Sequence, residues 1–151
     1  MTIEIEKPGS FKTMEFVGFI DMMNSGVFYF EKYDDLVNAG SYLQMLGKNR
    51  SFLVNMLNEE VKNFSKLQAA NIYGPNVFML ASCKKFFMRA NLWFPISIHE
   101  AGIKGFKYDV VHDHNFDILT VGYLGPDYVT GLYEYDESMT AGFIDEKGSF
   151  F

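Results

Sequence analysis

Two histidines, His112 and His114, stand in an alternating apolar run within the stretch Gly105 to Asp136. On a strand every second side chain points to the same face, so the spacing predicts both imidazoles on one side and Asp113 on the other. Neutral ring nitrogens suit iron, nickel, zinc or copper, and two of them make half of a site for one divalent metal. Oxygen chemistry at such a metal needs about three protein ligands, with the remaining positions open. The pair is therefore expected to project into a concavity lined by Phe and Tyr rings, with a third donor supplied from elsewhere.

His99, in ISIHEAG, is the one histidine outside the pair. If Gly102 to Gly105 closes a simple hairpin, His99 lies opposite about Tyr108, roughly 13 Å from His112 at ~3.3 Å per residue. A regular hairpin keeps it out of the site and an irregular loop brings it in, so His99 stays a candidate ligand. Glu100 and Asp113 are the carboxylates near enough to consider. Asp117 faces the other way on a regular strand and joins only through a bulge.

Other chemistries find less support. Cys83, beside Lys84 and Lys85, is a single cysteine after the apolar run VFMLAS, where a buried and inert thiol is the plainer expectation. No serine has nucleophile-elbow spacing, and the glycines match no phosphate-binding loop. Glu134, Asp136 and Glu137 lack the alternating ligands and central glycine of a calcium loop and read as a solvated strand end.

Composition bounds the frame that must position these groups. The chain has 151 residues, 48% apolar and 21% charged, which is one globular domain with a real core. Its 16 Phe and 9 Tyr predict a core filled largely by rings. A net charge of −6 without clustered Lys and Arg argues against a nucleic-acid partner. No apolar run approaches the ~20 residues that span a bilayer, and MTIEIEKPGS has no signal-peptide pattern. A lone cysteine forms no internal disulfide, so the cytoplasm is the expected compartment.

In chain order, apolar spacing from Thr13 to Asn24 predicts a helix stopped by Ser25-Gly26, followed by a short extended piece, VFYFEKY. Asp34 and Asp35 stand where helix N-caps are favoured, and Leu36 to Leu46 reads as helical up to Gly47. Ser51 to Leu67 gives the clearest stripe, with Leu53, Met56, Leu57, Val61, Phe64 and Leu67 on one face and Ser51 as its cap. After Asn71 the runs VFMLAS and FFMRANLWFPISI read as strands, with a bend at Pro95. Phe106 to Val121 reads as one long strand or as two broken near the histidines, and Tyr128 to Tyr135 alternates as another after a turn at Gly122 to Pro126. Residues 1–70 are thus mainly helical, 71–136 β-rich and 137–151 a tail, within one domain. The class is α+β, a helical N-terminal half packed on an antiparallel sheet or partial barrel.

The His112-Asp113-His114 triplet, its apolar flanks and Gly122 resemble the first motif of the cupin superfamily, a β-barrel that holds one metal on its inner face. Among cupins it is most similar to the cysteine dioxygenase-like, three-histidine thiol dioxygenases, whose helical N-terminal part also precedes the barrel. Ile118 stands where other cupins place a glutamate ligand, a departure those dioxygenases share. The resemblance covers about residues 71–136 and implies His112 and His114 as metal ligands, Fe(II) as the metal with Ni(II) or Zn(II) as substitutes, and Arg89 as the clamp for a substrate carboxylate. It implies oxygenase activity on a small thiol or amino-acid-like substrate. The family's third histidine lies on a later strand, and no histidine follows His114 here. The expected strand would fall past Phe151, which leaves three alternatives: a part of a longer enzyme, a substitute ligand such as His99, or a non-catalytic cupin-like domain that binds a small molecule or a protein.

Overall fold

Apolar periodicity carries through to three helices and a hairpin in the computed structural model, which describes residues 12–63, 69, 71–74, 76–93, 114, 116–126, 129–131 and 133. Helix α1 spans Phe16–Asn24, α2 Tyr33–Gly47 and α3 Phe52–Asn63; strands β1, Val77–Ser82, and β2, Phe87–Asn91, follow. The class is α+β, helices first and sheet second. The described sheet is the single β1–β2 hairpin, and the barrel implied by the cupin resemblance is not seen within it.

Helix α1 buries Phe19 and Met23, one helical turn apart, against the core. It ends where the Ser25 hydroxyl donates to the Met22 carbonyl at 2.7 Å, and Gly26, at φ +82°, turns the chain as a side chain would resist. The expected extended piece after it is a loop instead. Lys32 N–H closes a tight turn on the Tyr29 carbonyl at 2.8 Å, and the Phe28 ring enters the core against Phe30 and Tyr42. Local turn bonds win here because Phe28 is buried singly and no strand among the described residues pairs with it. Asp34 and Asp35 fall inside the first turn of α2, where carboxylates favour the helix dipole, rather than at its cap. Asp35 Oδ2 accepts from Tyr29 N–H at 3.0 Å and so ties the loop to the helix.

The junction between α2 and α3 is built on Asn49, a buried polar side chain whose amide nitrogen and oxygen both make hydrogen bonds. Its Nδ2 donates to the Met14 carbonyl at 3.2 Å, while Oδ1 accepts both the backbone N–H and the hydroxyl of Ser51. Ser51 stands at the cap position of α3, its carbonyl accepting from Asn55 N–H at 3.0 Å, while its hydroxyl donates back to Asn49 Oδ1 at 2.9 Å, so the asparagine supports the helix start. Leu53 and Met56 of the predicted stripe pack against the core, beside Phe52, which that stripe does not include. Leu57 is half-buried, and Phe64 and Leu67 lie outside the described residues.

Strands β1 and β2 pair antiparallel, Val77 opposite Asn91 and Ser82 opposite Phe87, with a shift between Met79 and Ala81. Leu80 is the extra residue of this bulge, and it enters the core beside the helices. Phe78, Met88 and Ala90 pack on the same side, which leaves Phe87 and Arg89 on the outer face by alternation.

Residues 116–126 were expected in strand and carry no ladder pairing, yet their alternation is real. Leu119, Val121 and Tyr123 are half-buried while Ile118, Thr120, Gly122 and Leu124 are exposed. Gly47 has no side chain to hold Val121 off: a Cβ there would meet Val121 Cγ2 at 3.0 Å. Tyr123 donates its hydroxyl to the Asn49 carbonyl at 2.9 Å and lies edge-on to Phe52, with ring centroids 5.1 Å apart. The segment is an extended strap over the helices, not a sheet strand. Gly125, at φ +84°, turns the chain inside the predicted Gly122–Pro126 turn. Residues 129–131 and 133, within the expected Tyr128–Tyr135 strand, are likewise outside any strand. Among the described residues no helix is long and apolar enough to cross a membrane.

Candidate functional site

Arg89 lies on β2, opposite Met79, on the face turned away from the helices. Its guanidinium carbon sits 4.7 Å from the centroid of Tyr73 and 5.9 Å from that of Phe87. Each such contact is worth about 0.5–1 kcal/mol at an exposed site and more when water is excluded. A sheet-edge arginine ordinarily pairs with a carboxylate, and among the described residues this one is held by rings instead. The one ion pair among the described residues is Lys62 with Glu59, on the exposed surface of α3.

The rings around Arg89 form a continuous chain. Tyr73 stacks on Phe87 at 6.4 Å, Phe87 meets Phe116 edge-on at 6.0 Å, and Phe116 touches His114 at 5.0 Å with the planes tilted by 46°. Thus Arg89 and His114, read from the sequence for different reasons, share one aromatic face. Tyr73, Phe87 and Phe116 remain 38%, 42% and 46% exposed, so this face is open rather than the lining of an enclosed cavity.

His114 itself is exposed, which corrects the expectation of a ring projecting into a concavity. The inward alternation of the strap begins only at Leu119, and His114, Phe116 and Asp117 before it are all exposed. Asp117 and Ile118 are exposed as well. His99, Glu100, Pro95, the Gly102–Gly105 turn, His112, Asp113 and the acidic group Glu134, Asp136 and Glu137 lie outside the described residues. Among the described residues no three His, Cys, Asp or Glu side chains come together as a metal site.

Cys83 opens the turn of the hairpin, where its N–H bonds the Phe86 carbonyl at 2.8 Å. Its thiol is half-buried and accepts from Asn24 Nδ2 at 3.4 Å, which gives it a structural partner on α1. Sequence reasoning missed Tyr73, Phe87 and Phe116 as members of the site. Their one sequence signal is position: Phe87 and Arg89 share a strand face, and Phe116 shares the parity of His114.

No family model, curated protein or solved structure matches the chain.

Proposed function

We propose that this chain is a small-molecule-binding domain, carrying half of a cupin-like metal site, that holds an anionic ligand on the face formed by Tyr73, Phe87, Arg89, His114 and Phe116. The observation that supports it is the setting of Arg89: a guanidinium held by two rings keeps its in-plane N–H fork for a carboxylate. In a chain of net charge −6, one such cation on an open apolar face distinguishes an acid from its neutral analogues.

A second reading, the metal-dependent oxygenase acting on a small thiol or amino-acid-like substrate, is favoured by the shared face of Arg89 and His114. In it, His112 and His114 would hold Fe(II), with Ni(II) or Zn(II) as substitutes, and His99 would be the third ligand. When bound, the metal would supply open positions for substrate and dioxygen. Arg89 would hold the substrate carboxylate, while Phe87 and Phe116 would exclude water from one side of it. An exposed imidazole such as His114 retains its hydration, which weakens any metal site it joins.

Titration of the chain with Fe(II), Ni(II) and Zn(II), followed by calorimetry, separates the two readings. Binding weaker than micromolar, lost in His112→Ala and His114→Ala and kept in His99→Ala, together with no thiol-dependent oxygen uptake, is the outcome for a half-site. Submicromolar binding lost in all three variants, with oxygen uptake, would overturn the binding-domain reading and make His99 the third ligand.

A further inference from the structure

Beyond the charge of the ligand, the aromatic face specifies its shape; this step rests on the binding reading of Arg89 given above. We propose that the ligand is an aromatic carboxylate, its acid group on the Arg89 fork and its planar ring stacked on the Tyr73–Phe87–Phe116 face. Three half-exposed rings in series, Tyr73 on Phe87 and Phe87 on Phe116, are more than a cation needs for support, since the other described ring-bound cations each rest on a single ring. Lys32 and Lys85 both lie over Tyr29, and Arg50 lies over Tyr123. The extra ring surface is contiguous with Arg89 and stays open to solvent, where it can take a further ring edge-on or offset.

The geometry also bounds the length of the ligand. Phe87 touches both Arg89 and Phe116, so the anion position and the far ring lie one aromatic residue apart. A ligand with its ring one or two carbons from its carboxylate spans that gap. A bare short acid leaves the rings wet, and an aromatic amine meets the guanidinium with like charge. His114, against the far side of Phe116, bounds the face and would meet the ring of the ligand rather than its acid.

Phenylpropionate, phenylpropionamide and acetate serve as probes of the full chain by calorimetry or proton NMR, in EDTA so that metal plays no part. The expected order is the aromatic acid at least tenfold tighter than the amide, with acetate weakest. Arg89→Gln should abolish the preference for acid over amide, and Phe116→Leu should weaken acid and amide by the same factor. Lys84→Gln, a change of like charge at the hairpin turn, should leave all three unchanged, and far-UV circular dichroism checks that each variant is folded. Equal binding of acid and amide, an unaltered preference in Arg89→Gln, or no binding of the acid at millimolar concentration overturns the proposal. If acetate binds as tightly as phenylpropionate, and both depend on Arg89, the aromatic ligand is refuted while the anion-binding reading survives.

Discussion

Two polar residues show how differently a side chain can be used in this chain. Asn49 is buried, and every polar atom of its amide is engaged. Arg89 is half-buried and held by ring faces, so its hydrogen-bonding edge is kept for something else. Removing the first is a matter of stability. Asn49→Ala removes the three hydrogen bonds to the half-buried Met14 carbonyl and to the exposed Ser51 N–H and hydroxyl, each contributing about 0.5–1.5 kcal/mol. Urea unfolding should therefore show a loss on the order of 2–3 kcal/mol, while Asn49→Asp, which keeps the acceptor for Ser51, should lose less. An unchanged midpoint in Asn49→Ala would mean that the junction of α2 and α3 does not depend on this amide. Arg89 was legible in the sequence as an isolated cation in an apolar run. Asn49 was not, because one asparagine in the polar break Lys48-Asn49-Arg50-Ser51 looks like any turn residue; its importance comes from Met14, far away in the chain.

At the scale of elements, the helices were readable and the sheet was readable only in part. Helical stripes announce themselves because apolar residues recur every three to four positions with polar ones between. The bulge in β1 does not, since Met79, Leu80 and Ala81 are all apolar and the alternation gives no sign of the extra residue. Residues 116–126 misled for a better physical reason: a period of two belongs to extended backbone, paired or not. The strap alternates against the helices as a strand would alternate against a core, without a neighbouring strand. The bulge has a measurable consequence. Leu80 is inside and Met79 is on the outer face, so Leu80→Ala should cost about 2–5 kcal/mol and Met79→Ala clearly less. The same comparison within α3 sets buried Phe52 against half-buried Leu57: Phe52→Ala should cost about 3–5 kcal/mol and Leu57→Ala less. Equal losses at Met79 and Leu80 would refute the bulged register.

For the molecule as a whole, the strap is what joins the helical part to the face that carries Arg89. At one end Phe116 rests edge-on against Phe87 of β2; at the other, Val121 fits over Gly47 and Tyr123 bonds the Asn49 carbonyl and meets Phe52 of α3. Leu80 makes the reverse connection by inserting from β1 among the helices. Contacts running both ways predict that helices and hairpin unfold in one transition, despite the change from helical to β character between them. Far-UV circular dichroism weighs the helices, and the fluorescence of Trp93, the only tryptophan, weighs the end of the hairpin. Their urea midpoints should coincide. Tyr123→Phe removes a single hydrogen bond and should lower both by the same ~0.5–1.5 kcal/mol. Because the strap also sets Phe116 against Phe87, the same variant should weaken phenylpropionate less than Phe116→Leu does, and acid and amide equally. Two separated midpoints, or a Tyr123→Phe effect confined to one probe, would show that the helices and the hairpin are independent units and that the aromatic face is not held in place by the strap.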